Sequence, residues 1–147
     1  MKQRMICLLL VLALACSLMP AAAAASPAVR AANALYTMGL FDGVGQHSDG
    51  SPIYALDRSL TRQEMAQTLF LYVKKCGVST SQRADLSGYA DEGDVADWAR
   101  TAMEWAVAEG ILAGRTVGGK TVLDPAGSVT RAEFSAVLQT LCEDVLV

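Results

Sequence analysis

Apolar positions recur at helical spacing in three well-defined stripes. Met65, Leu69, Tyr72 and Val73 follow the pattern i, i+4, i+7, i+8, and so do Phe134, Leu138, Leu141 and Cys142. Trp98, Ala102, Trp105 and Ala106 make a third stripe of the same kind. Each pattern predicts an amphipathic helix with one buried face, and at this spacing the two tryptophans read as core residues. Stop and start signals bound the elements. Ser26-Pro27 is a cap followed by proline at the first helical position, and Gly39 ends the helix it opens. The spacing predicts helices over 27–38, 61–76, 95–109 and 130–143, with glycines 39, 77 and 110 as the stops after the first three. Between paired helices lie loops over 40–59 and 111–128, rich in glycine and aspartate. The expected fold class is all-α, with about four main helices.

One helix start is written twice, as Thr61-Arg62-Gln63-Glu64 and Thr130-Arg131-Ala132-Glu133. Gly39-Leu40-Phe41 likewise matches Gly110-Ile111-Leu112. Two copies of one pattern in matching surroundings predict a tandem helix-loop-helix repeat. The expected units are 26–76 and 85–147, joined by a polar linker over 77–84. Thr-x-x-Glu is a capping box: the Thr61 or Thr130 oxygen accepts from the third helical N–H, and the Glu64 or Glu133 carboxylate returns to the threonine N–H. Losing such a threonine costs about 1 kcal/mol. Structural capping is therefore a sufficient account of Thr61, Glu64, Thr130 and Glu133.

Composition narrows the function. Residues 1–25 read as a signal peptide: Lys2 and Arg4 precede a short apolar run, then Pro20 and a series of alanines. An alternative places a lipidated N-terminus at Cys16. The run is too short for a spanning helix, so no transmembrane segment is expected after cleavage. Without Lys2 and Arg4 the chain has 10 basic and 15 acidic residues, a net charge of −5. That balance argues against a nucleic-acid partner, which needs a basic face. An exported chain could join Cys76 and Cys142 in a disulfide. The simpler reading is two small core residues.

The arginines are not explained by capping. Arg62 and Arg131 stand in the first helical turn, where the macrodipole is already positive and a cation is mildly unfavourable. A helix N-terminus with an arginine is, however, suited to an anion. The anion is either a protein carboxylate, with Asp57 and Asp124 nearby in sequence, or an acidic group on an external polymer; the residues leave both open. Catalysis has little support. The single histidine, His47, reads as a solvated loop residue. Asp91, Glu92, Asp94 and Asp97 lack the alternating ligand pattern of a calcium loop. No metal site, cofactor or enzymatic activity is expected.

These residues together resemble the S-layer homology repeat. Tyr89-Ala90-Asp91 leading to Asp97-Trp98-Ala99, then Glu109-Gly110-Ile111-Leu112-x-Gly114, and finally Val129-Thr130-Arg131-Ala132-Glu133-Phe134 carry the likeness. The first unit resembles a divergent form of the repeat, with Pro27 where the second has Trp98. The resemblance implies units that assemble around a three-fold axis, so two units make a partial bundle. It implies a secreted bacterial surface protein that binds secondary cell-wall polysaccharide, commonly pyruvylated. Carried over by position, Arg131 and then Arg62 are ligand candidates, with Trp98, Gly114 and Gly119 lining the groove. The competing expectation is an assembly protein that pairs with repeats on the same or other chains without binding glycan.

Overall fold

A computed structural model describes residues 25–146. The expected signal peptide, including Cys16, therefore lies almost wholly outside the described residues. Four helices dominate: α1 (Pro27–Thr37), α2 (Arg62–Lys75), α3 (Asp97–Ala108) and α4 (Arg131–Thr140). Each start has the local cause read from the sequence, except that of α3. Ser26 Oγ accepts from Val29 N, and Pro27 opens α1. Complete capping boxes open α2 and α4. Before α3 a 3₁₀ turn at Glu92–Asp94 redirects the chain, and no side chain caps Ala96. Instead Ala96 N donates to Gln63 Oε1 of α2, so the start of α3 is tied to another helix. The last helix is shorter than its periodicity predicts and relaxes into a π turn at Leu141–Val145.

The chain is mostly helical, in keeping with the all-α expectation, and adds only two small strand pairs. Both long loops contain a small antiparallel hairpin. In the first, β1 (Gly45–Gln46) pairs with β2 (Pro52–Ile53). In the second, β3 (Arg115–Val117) pairs with β4 (Lys120–Val122). Gly118 and Gly119 form the two-residue turn of the second hairpin, both at positive φ, as a tight hairpin of native twist requires. Thus 27–75 and 97–140 run through one order of elements: helix, hairpin, a non-glycine residue at positive φ (Ala55 or Asp124), then a capped helix.

The core lies where α2 crosses α3. Met65, Ala66 and Val73 of α2 are buried with Ala99, Ala102, Met103, Trp105 and Ala106 of α3. Leu123, Val137 and Leu141 from the last segments complete it. Phe70 meets the edge of Trp105 at 5.6 Å between ring centroids. Five expected core positions fall outside, Tyr72 and Cys142 among them. Trp98 is exposed although it shares a helical face with Trp105: it stands in the first turn of α3, where that face opens onto a groove. On α4, Phe134 and Leu138 are also exposed, since no neighbouring helix covers that face; Val137 and Leu141 point inward instead. Cys76 and Cys142 are both exposed, so neither is the small core residue expected.

Candidate functional site

The first turn of α2 is built into the far half of the chain. Helix N-termini leave backbone donors unpaired, and here the loop before α4 takes them. Arg62 N donates to Gly127 O at 2.9 Å and Gln63 N to Pro125 O at 3.0 Å. Thr61 pairs with Ser128 as an isolated bridge, and Val129 N returns to Leu60 O at 3.1 Å. The Arg62 side chain follows the backbone inward and is only 3% exposed. Its Nε donates to Leu123 O at 2.8 Å, Nη2 to Ala113 O at 2.6 Å and Nη1 to Glu133 Oε1 at 3.0 Å. Burial lowers its pKa from the usual arginine value, and the nearby Arg115 adds to this, while Glu133 opposes both. The anion facing Arg62 is therefore a protein carboxylate, but it is Glu133 and neither Asp57 nor Asp124.

Glu133 joins several tasks at one carboxylate. It caps α4 through Thr130 N at 2.9 Å and receives Arg62. Arg115 reaches it from β3 through Nε at 2.9 Å and Nη2 at 2.6 Å. Arg115 also binds Asp124 and donates to Ser128 O at 3.1 Å. Asp91 fixes the same stretch from the other side, accepting from Leu123 N and Asp124 N, each at 2.7 Å. That task accounts for the acidic residue at the head of the 91–97 cluster. No group of three or more His, Cys, Asp and Glu side chains among the described residues is placed to hold a metal. Sequence reasoning missed Arg115, whose position after Gly114 carries no motif of its own.

The Thr130 backbone and Arg115 hold Glu133 at about 2, well below the usual 4.5. Arg58, with the Thr61 cap behind it, holds Glu64 at about 2 as well. Depressed carboxylates contribute stability that is fully present above their unfolded value and lost as they protonate. Stability will accordingly fall as pH drops from about 4.5 toward 2, with little change above that window from these groups. Denaturant midpoints followed by circular dichroism across this range check the sign; stability rising on acidification would contradict the geometry.

Arg131 has a different setting from Arg62. It is exposed, and its guanidinium makes no hydrogen bond or ion pair among the described residues. Its sequence neighbour Asp124 is engaged by Arg115. Gly114 is required by close approach: a Cβ there would meet Thr121 Cγ2 and Tyr89 Cε1, each at 2.7 Å. Gly119 is required by its turn. His47 is exposed in the first hairpin and donates its backbone N–H to Ser51 O.

Trp98 lines an open groove of about 590 Å³. The opposite walls are the first loop, through Asp42, Tyr54, Leu56 and Arg58, and one face of α2, through Glu64, Gln67 and Leu71. The indole is 54% exposed. Arg58 forms an ion pair with Glu64 on that wall. An aromatic platform, a cation and amide or hydroxyl groups around an apolar floor suit a ligand that is part sugar face and part charge. Arg62, Arg131, Gly114 and Gly119 do not line this groove.

Comparison with known proteins places this geometry in context. The profile described as the S-layer homology domain matches residues 88–135. The chain is similar to the Surface-layer 125 kDa protein of Lysinibacillus sphaericus, with 35% identity over 107 residues. That alignment takes in 73% of this chain and 8% of the relative, so the chain corresponds to a small part of a much longer protein. Among solved structures it is similar to the undecaheme cytochrome from the S-layer of Carboxydothermus ferrireducens, with 31% identity over 57% of this chain and 13% of that one, at a TM-score of 0.44. Residues 88–135, which run from the Tyr89-Ala90-Asp91 approach to the capped start of α4, form an S-layer homology domain.

Proposed function

We propose that this protein is a non-catalytic cell-surface module that binds a secondary cell-wall polysaccharide in the groove beside Trp98. The observation that carries this reading is the exposed indole on the wall of an open groove, in a chain with an S-layer homology domain. A pyranose ring offers an apolar face to Trp98, and an acidic substituent such as a pyruvate ketal suits Arg58 across the groove. Placement at the bacterial cell wall, export by residues 1–25 and a partial three-fold bundle belong to the same reading. No helix among the described residues is long and apolar enough to cross a membrane.

Co-sedimentation with purified cell-wall sacculi tests this, before and after acid stripping of the secondary polymers. Binding is expected to intact sacculi and to disappear on stripping. Trp98→Ala, an exposed change that leaves the fold alone, is expected to weaken binding about tenfold or more, as loss of a stacking platform does elsewhere. A folded protein that ignores both wall preparations, or a Trp98→Ala variant that binds as well as the parent, defeats the proposal.

A further inference from the structure

We infer that the chain associates head-to-tail with a second copy of itself, with Arg131 of one copy entering the first-loop groove of the next. The template is inside the molecule. The first turn of α2 docks on the second half by placing Arg62 against Ala113 O, Leu123 O and the Glu133 carboxylate. Both ends of that joint recur, unpaired, on the same chain.

Arg131 repeats the plug. It holds the same position in the same capping box as Arg62, yet it is exposed and has no partner among the described residues. The helix behind it repeats the docking face. Met65 is 1% and Val73 0% exposed where α2 meets α3, whereas their counterparts, Phe134 on α4 and Cys142 in the π turn after it, are exposed. An apolar face that the chain buries once and leaves open once lacks the same kind of neighbour.

The first half repeats the socket. Matching Gly39 to Gly110 and Ala55 to Asp124, each pair alike in positive φ, sets Asp42, Tyr54 and Glu64 opposite Ala113, Leu123 and Glu133. All three line the groove. Glu64 already carries Arg58, as Glu133 carries Arg115, and Glu133 shows that such a carboxylate accepts a second guanidinium. α1 takes the place of α3. Trp105, which faces α2 through Phe70, corresponds to Ala34, and Ala106 corresponds to Leu35; both α1 residues are exposed. Because plug and socket lie at opposite ends of one chain, the contact is heterologous and continues into rings or strings of copies.

Sedimentation velocity over a wide range of concentration tests the inference, with two exposed variants. Arg131→Glu removes the plug and keeps the socket. Ala34→Glu blocks the socket and keeps the plug. The parent is expected to gain mass with concentration, and each variant to stay monomeric with unchanged circular dichroism and melting. An equimolar mixture of the two is expected to form dimers and nothing larger, since it contains one working joint per pair. A folded parent that is monomeric throughout overturns the inference. So does an associating parent whose two variants fail to combine, since that outcome marks a symmetric contact. The second copy and the polymer share one groove, so sacculus binding through Trp98 is measured at concentrations where the parent is monomeric, and each idea can then fail alone.

Discussion

Replacing Arg62 with alanine will lower the melting temperature by roughly 10–15 °C, while the same change at Arg131 will leave it almost unmoved. Two residues with one motif position and one helix-start geometry thus diverge. Arg62 is buried and donates to two backbone carbonyls and a carboxylate. Its loss strands the two carbonyls and strips Glu133 of one of its two guanidinium partners. Breaking a buried charged pair by removing one partner costs about 3–5 kcal/mol, which in a domain of this size gives the stated shift. Lysine will not rescue it, because one ammonium cannot meet three acceptors arranged for a guanidinium fork. Arg131→Ala touches nothing in the folded monomer and falls within about 0.5 kcal/mol. Thermal melts of both variants at a concentration too low for association decide the matter. Equal shifts would refute the burial of Arg62.

Glu133→Ala will destabilise by about 3 kcal/mol, well beyond the roughly 1 kcal/mol of a lost cap. The carboxylate closes the capping box of α4, but it also faces buried Arg62 and half-buried Arg115. Without it two guanidiniums stand together with Asp124 and the more distant Asp91 to balance them. Glu64→Ala, the same motif position in the first half, will cost only about 1 kcal/mol, because its partner Arg58 is largely solvated and regains water. The double variant Arg62→Ala, Glu133→Ala will be less destabilised than the sum of the singles, by about 0.5–3 kcal/mol. Denaturant titrations of the four proteins measure this coupling; strict additivity would mean that the two side chains do not meet.

Helix starts were legible because their causes are local. Ser26, Thr61 and Thr130 satisfy backbone donors three residues on, and the motif that says so is contiguous. The hairpins were not, since strands of two or three residues have no period to read. The fate of Arg62 was hidden by distance along the chain: its acceptors lie 51, 61 and 71 residues away. Two of them are backbone oxygens, which no residue type advertises. Trp98 and the α4 stripe failed for a shared reason. Periodicity reports that a face is apolar and says nothing about whether a neighbour exists to cover it. The same local legibility that marks Thr130-Arg131-x-Glu133 as a helix start also made Arg131 look equivalent to Arg62, an equivalence that only the surroundings undo.

The joint between the halves has a consequence for descent. Arginine and glutamate of the joint are drawn from one four-residue motif, and the carbonyls that complete it lie in the loop just before that motif. A stretch of coding sequence spanning one helix-loop-helix segment therefore carries both the connector and its receptacle. Copied in register, such a segment would join its neighbours on either side with no fresh contact to be invented. Lengthening by duplication is the cheap route for this architecture, and loss of a segment leaves an open connector at one end and an open receptacle at the other.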